Sequence, residues 1–185
     1  ALRRAGVEVV VPRGQTCCGQ PGWSAGHPEQ ARPVARRALR AFRGTDPVVV
    51  PSGSCAAMVT HGYPELFAGH PEEQQARDMA ARTVELSQFL ARHGLRPRPR
   101  GQGSVTYHDS CHMLRILGDR ESPRAVLSGV EGLELREMRD TAVCCGFGGT
   151  FSVNFPEVSG HLGDDKARNA AESGADELVA CDLSC

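Results

Sequence analysis

Ser104-Val105-Thr106-Tyr107-His108-Asp109-Ser110-Cys111 is a β-branched and aromatic run that stops in a polar turn and then delivers a cysteine. Valine, threonine and tyrosine fit a pleated, half-buried surface, and Asp-Ser is turn chemistry, so residues 104–108 predict a strand with Cys111 just past its end. Reading outward, the same device recurs. Gly6-Val7-Glu8-Val9-Val10-Val11 predicts a buried strand closed by Pro12-Arg13-Gly14-Gln15, after which Cys17 and Cys18 follow. Val48-Val49-Val50 predicts a short strand broken by Pro51, and the turn Ser52-Gly53-Ser54 leads to Cys55. Leu133-Glu134-Leu135-Arg136-Glu137-Met138 alternates as a half-buried strand does, with Cys144 and Cys145 beyond it. Glu177-Leu178-Val179-Ala180 predicts a last strand running into Cys181, and Cys185 closes the chain.

Helical periodicity fills the intervals. Ala31, Val34, Ala35, Ala38, Leu39 and Phe42 recur at helical spacing after Pro28, with arginines on the other face and Gly44 as a stop. Met79, Ala80, Val84, Leu86 and Leu90 offer an apolar face over residues 76–91, with Gly94 beyond. Further helices are expected from Pro123 through Leu127 and from Pro156 to Ala171, the last closed by Gly174. Strand and helix in alternation predict an α/β fold of two similar βαβ-type, Rossmann-like halves. In open parallel sheets ligands collect outside the carboxyl ends of the strands, where the cysteines of this chain are expected. The breaker-rich stretch 96–103 reads as a linker, giving a first repeat over 1–95 and a second over 104–185. The chain opens at Ala1 without a methionine and stops on Cys185, so both repeats are expected to be cut short at the chain's ends.

Composition narrows the function. Residues 1–100 hold 14 arginines against 8 acidic residues, and residues 101–185 hold 7 basic against 14 acidic, so the halves carry +6 and −7. With aromatics at 5%, the positive charge strung along helices reads as a solvated face and not as a nucleic-acid surface. No apolar run approaches the roughly 18 residues a membrane helix needs, and no charged-then-apolar leader reads as a signal peptide. A cytoplasmic protein is expected. Eight cysteines could form disulfides in a small secreted scaffold, but alternating strands and long amphipathic helices do not suit one, and adjacent cysteines make poor staples.

The thiols are better read as metal ligands. The second half supplies Cys111, Cys144, Cys145, Cys181 and Cys185; the first supplies Cys17, Cys18 and Cys55, with Pro51 where the second half has Cys181. Soft sulfur selects zinc, copper(I) or iron–sulfur clusters. Zinc knuckles space paired ligands by two to four residues, whereas adjacent thiolates can each hold a different iron of a cluster. Gly19, Gly146, Gly148 and Gly149 permit close backbone approach and place amide donors near cluster sulfides. His108 and His112 flank Cys111 and leave a cysteine–histidine zinc site as a competing reading. The plainer role for His108 is to end a strand, and for His112 to cap or line a cleft. Asp109 and Asp182 read as turn carboxylates. A C-x-x-C exchange motif at a helix start and a G-x-G-x-x-G dinucleotide fingerprint are both missing from the sequence. Three classes follow: an iron–sulfur redox subunit, a zinc-stabilised structural module, and a metal-free thiol sensor.

Cys17-Cys18-Gly19-Gln20-Pro21, Pro51-Ser52-Gly53-Ser54-Cys55-Ala56-Ala57-Met58, Tyr107-His108-Asp109-Ser110-Cys111 and Cys144-Cys145-Gly146-Phe147-Gly148-Gly149-Thr150-Phe151, in that order, resemble the cysteine-rich CCG-domain family. That family includes the B subunit of heterodisulfide reductase and the iron–sulfur subunits of glycolate oxidase and anaerobic glycerol-3-phosphate dehydrogenase. The resemblance implies tandem repeats, each C…CC…C, binding [4Fe-4S] clusters, which are non-cubane in the heterodisulfide reductase relative. It implies that Cys111, Cys144, Cys145 and Cys185 hold the iron of a second cluster, and that Cys17, Cys18 and Cys55 hold that of a first, incomplete site whose opening cysteine is not in the chain. Cys181 would add a cofactor contact. The family pattern often ends in C-x-x-C, but three residues separate Cys181 from Cys185, and Cys55 has no such partner. The similarity is to lactate-oxidising members, implying electron transfer during oxidation of L-lactate to pyruvate beside companion subunits, one of them another iron–sulfur protein. A subunit of another 2-hydroxy-acid or glycerol-3-phosphate dehydrogenase, or of a heterodisulfide reductase, is the alternative.

Overall fold

The computed structural model describes residues 2–95 and 100–185. It parts into two compact units, Val10–Leu86 and Ala1–Val9 with Ser87–Cys185. Residues 96–99 of the expected linker lie outside the described residues, and Arg100–Gly103 open a strand.

In the Val10–Leu86 unit, α1 (Gln20–Ser24) and α2 (Pro28–Ala41) follow the first cysteine doublet. α2 buries Ala31, Ala35, Ala38 and Leu39, the stripe its periodicity predicts, and Arg36 on its other side pairs with Glu72 at 2.8 Å. β1 (Val48–Val50) is followed by one helical run in three pieces: α3 (Gly53–Ala57), a π-helical turn over Met58–Gly62, and α4 (Tyr63–Leu66). Its buried Met58, Val59, Tyr63 and Leu66, with Phe67, form the middle of the core against α2. α5 (Glu73–Ala81) ends as the Thr83 hydroxyl donates to the Met79 carbonyl at 2.7 Å.

Two expectations fail here. The helix predicted over 76–91 is interrupted by β2 (Thr83–Glu85), which pairs in parallel with β1 and sets Val84 opposite Val49. Thr83 and Val84 are β-branched, and a neighbouring valine strand outweighs the helical spacing of the residues around them. The strand predicted over Val7–Val11 does not form: Val10 and Val11 are 77% and 61% exposed. Strand propensity reports fit to a covered, pleated surface, and among the described residues no strand runs beside this segment.

In the other unit, α6 (Leu86–Arg92) precedes β3 (Arg100–His108), the centre of a three-stranded parallel sheet ordered β4-β3-β5. β4 spans Glu131–Leu135, a few residues earlier than the alternation suggested, and β5 spans Glu177–Ala180. Val105 faces Leu135 on one side and Glu177 on the other, and His108 faces Ala180. The centre of the sheet is the buried run Ser104–His108. Met138, buried beyond β4, donates its N–H to the Thr106 hydroxyl at 2.9 Å. α7 (Glu121–Ser128), α8 (Phe151–Asn154) and α9 (Pro156–Glu172) complete the unit. Both sheets are parallel and joined through helices, the α/β architecture that the alternation predicted. Among the described residues, no helix is long and apolar enough to cross a membrane.

Parallel pairing places the site. Because His108 and Ala180 are partners in register, the turns after β3 and β5 leave the sheet at the same edge and bring Cys111 and Cys181–Cys185 to it from 70 residues or more apart in sequence.

Candidate metal centre

At that edge, a ring nitrogen of His108 and the sulfurs of Cys145 and Cys185 lie within 4.8 Å of one another. Hydrogen bonds from the Cys185 thiol and the His108 ring hold the Cys145 thiol down to about 4, against burial, which acts the other way. Cys185 moves in the opposite direction, raised first by its hydrogen bond to Cys145. The contact between the two sulfurs thus favours the thiolate form at Cys145. A thiolate is the ligand form of cysteine, so the surroundings favour the form that binds metal.

The remaining thiols stand around this group. Burial raises Cys111, and the negative charges of Cys144, Cys145 and Asp182 raise it further. Cys144 accepts the Gly146 N–H at 3.3 Å, and Cys181 lies 3.2 Å from the Ser110 hydroxyl. The structure thus brings Cys111, Cys144, Cys145 and Cys185 into mutual electrostatic reach, and it sets Cys181 against the turn that carries Cys111.

Buried ions brace the loops that present these thiols. Asp109, with 2% of its side chain exposed, receives both terminal nitrogens of Arg124 at 2.7 and 3.0 Å, and Arg120 stands 3.4 Å away. Burial favours its neutral form, but the bonds from Arg124 and Thr141 prevail and leave the carboxyl below its ordinary range. Arg124 also pairs with Glu137 and lies over the Tyr107 ring at 5.2 Å. On α9, buried Lys166 donates to the carbonyls of Asp140 and Thr141 at 2.8 and 3.1 Å, fixing the loop that leads into the doublet.

The Val10–Leu86 unit repeats the doublet's geometry. Gly19 and Gly146 both adopt φ 88°, and the Gly19 N–H donates to Cys17 at 3.4 Å as that of Gly146 does to Cys144. The second cysteine pairs with the distal one in each case: Cys18 is 3.3 Å from Cys55, and that hydrogen bond, then burial, raises the Cys18 thiol. Cys55 sits in the first turn of α3, its N–H accepted by the capping Ser52 hydroxyl at 3.4 Å, and the buried Tyr63 hydroxyl donates to the Cys18 carbonyl at 3.0 Å. Cys17 is exposed.

A sequence profile described as the CCG cysteine-rich domain matches residues 1–60 and 105–185, which takes in all eight of these thiols. The chain belongs to the CCG cysteine-rich domain family. Lactate utilization protein A of Geobacillus thermodenitrificans (strain NG80-2) is 45% identical to it over the whole of this chain and 78% of its own length. The proteins of the same name from Halalkalibacterium halodurans and Bacillus thuringiensis (strain Al Hakam) are 44% and 41% identical over the whole chain and 76% and 78% of their own lengths.

The CCG signature is explained locally. A Cβ on Gly146 would stand 2.3 Å from the Ser159 carbonyl oxygen, and one on Gly19 would stand 3.1 Å from that of Ala31, so each glycine lets a doublet turn lie against a helix. The thiolate at Cys145, the paired sulfurs and the soft-donor majority fit a metal or an iron–sulfur group. Sequence reasoning placed the cysteines and raised His108 beside Cys111 as a competing cysteine–histidine zinc reading, with strand end as its plainer role, and it gave no role to Lys166, Ser110 or Arg124. A histidine as the last residue of a predicted strand, three positions before a cysteine, was the available signal.

Proposed function

We propose that this chain is the iron–sulfur redox subunit of a system that oxidises L-lactate to pyruvate. The reading rests on one observation above others: the sulfurs of Cys145 and Cys185 and a ring nitrogen of His108 lie within 4.8 Å of one another, with Cys111 and Cys144 in electrostatic reach, at the carboxyl ends of parallel strands. The name of its relatives, lactate utilization protein A, supplies the substrate class. In this reading Cys111, Cys144, Cys145 and Cys185 hold the iron of a [4Fe-4S] cluster, with Cys181 an auxiliary contact, and Cys17, Cys18 and Cys55 contribute to a first centre. The two repeats run over 1–95 and 104–185. An iron–sulfur cluster supplies single-electron acceptance and release, so the two electrons that leave lactate would pass through this subunit one at a time to a companion iron–sulfur protein in the cytoplasm. The protein's own contribution is to keep ligand sulfur deprotonated, to donate amide N–H groups to the first sulfur of each doublet, and to brace the loops with buried ion pairs.

The experiment is anaerobic reconstitution with ferrous iron and sulfide, followed by iron and acid-labile sulfide analysis and visible absorption. Brown protein with sulfide-to-iron charge-transfer bands that bleach on reduction is expected. Colourless protein retaining stoichiometric zinc and taking up no iron would refute the redox reading and favour a zinc-stabilised module. A reconstituted cluster that stays oxidised with lactate and the companion subunits but is reduced by another 2-hydroxy acid would move the chain to that dehydrogenase.

A further inference from the structure

The iron–sulfur reading assigns cysteines alone. We infer that His108 is also a metal ligand, its imidazole sharing one ion with the thiolates of Cys145 and Cys185, so that the second centre contains a site of mixed nitrogen and sulfur coordination. The inference rests on the presence of a metal in that centre.

Three observations converge. First, the group is tight. A tetrahedral ion with thiolates at roughly 2.3 Å and imidazole at about 2.0–2.1 Å spans about 3.5–3.8 Å from ligand to ligand. The three donor atoms lie within 4.8 Å of one another, so small side-chain adjustments close them on a single ion. Second, the ring is 3% exposed and its Nδ1 has no hydrogen-bond partner among the described residues. The ring's proton can rest on Nδ1, which leaves the nitrogen that faces Cys145 with a lone pair for an ion. Third, the position is fixed by the fold. His108 is the last residue of the central strand, in register with Ala180, so it stands where the turn that carries Cys111 and the segment that ends in Cys185 both leave the sheet.

The other repeat holds the same pair of sulfurs together: Cys18 and Cys55, which correspond to Cys145 and Cys185, stand 3.3 Å apart, near the about 3.8 Å that two thiolates span on one tetrahedral ion.

Two measurements test the assignment and separate its failure from failure of the iron–sulfur reading. The full chain is reconstituted with iron-57 and sulfide and examined by Mössbauer spectroscopy. Wild type is expected to show one iron with a quadrupole splitting set apart from the others; in His108→Cys the cluster is retained and that component merges with the rest, and in His112→Ala it is unchanged. Separately, the metal-free chain is titrated with cobalt(II). His108→Ala is expected to weaken binding by more than the roughly 10–100-fold that loss of a residue behind a ligand costs, with the cobalt d–d bands displaced, while His108→Cys restores affinity with an all-sulfur spectrum. A cluster whose Mössbauer spectrum is identical in wild type and His108→Cys, or cobalt binding unaltered in His108→Ala, would overturn the inference. Wild type that forms no cluster would defeat the redox reading, and the cobalt titration would still decide His108.

Discussion

Replacing Gly146 by alanine should damage this protein far more than the same change at Gly19, although both glycines sit at φ 88° in the same motif. An L side chain in the left-handed region costs about 1–2 kcal/mol at either position. The difference lies in what the new methyl would meet. At Gly19 it comes within 3.1 Å of the Ala31 carbonyl oxygen, a contact relieved by a shift of a few tenths of an ångström. At Gly146 it falls 2.3 Å from the Ser159 carbonyl oxygen and 3.0 Å from the Leu162 Cβ, both on α9, where a backbone group cannot rotate away. Overpacking of that kind adds about 1–3 kcal/mol. The expected losses are therefore roughly 1–2 kcal/mol for Gly19→Ala and about 2–5 for Gly146→Ala. Urea unfolding of the metal-free chain measures this, with circular dichroism following the whole chain. The single tryptophan, Trp23, packs in the core of the Val10–Leu86 unit and reports on that unit alone. With a urea slope of about 1.5 kcal/mol per molar, Gly146→Ala should lower its transition by roughly 1.3–3.3 M and Gly19→Ala that of the tryptophan by about 1 M. Equal shifts, or a Gly146→Ala protein as stable as wild type, would refute the packing account of the CCG turn.

Alkylation of the metal-free protein by iodoacetamide, read by peptide mass spectrometry, should label Cys145 at a rate that is flat from pH 8 to 5 and declines only as pH passes through about 4. A tenfold decline per unit between pH 8 and 6, as for an ordinary thiol, would show that Cys185 and His108 do not hold the thiolate. Asp109→Asn should cost about 3 kcal/mol, because it leaves Arg124 buried without its bidentate partner. Since the folded Asp109 carboxyl lies below its ordinary value, the stability it contributes is complete above about pH 4 and lost as pH falls through the lower folded value, so the variant should lack that part of the acid transition. Cys145→Ser should abolish the second cluster and leave the circular dichroism spectrum unchanged, because Cys145 lies in an irregular loop outside the sheet; iron retained at the wild-type ratio would remove Cys145 from the ligand set.

Much of the fold was legible because its strongest signals are local. Val48–Val50, Ser104–His108 and Glu177–Ala180 read as strands from β-branched content, and α2 and α9 from helical spacing after Pro28 and Pro156. What failed depends on neighbours in space. Val7–Val11 has the composition of a strand, but a strand also needs an adjacent strand, which composition does not encode. Residues 76–91 carry a helical stripe, yet Thr83–Glu85 pair with a strand more than thirty residues earlier. The run from Gly53 to Leu66 went unread beyond the turn at 52–54, and within it a Cβ on Gly62 would stand 2.6 Å from the Met58 sulfur, so the Met58 side chain would have to shift. At the site, cysteines announce themselves by type. His108 and Lys166 do not, since their roles follow from burial and from which atoms surround them.

The adjacency of the two cysteines in each doublet has a structural cause. Neighbouring residues in extended backbone project to opposite sides, so one doublet offers sulfur in two directions from a single anchored turn. The glycine that follows makes those directions chemically unequal. Its left-handed conformation swings its N–H back onto the first sulfur, at 3.4 Å for Cys17 and 3.3 Å for Cys144, and the second sulfur meets the distal cysteine. An alanine or serine after the doublet would hold this conformation only at a cost of about 1–2 kcal/mol and would crowd the helix beside it. The three-letter signature is thus one mechanical unit, in which the glycine decides which sulfur is stabilised by the backbone and which is left to pair across the site.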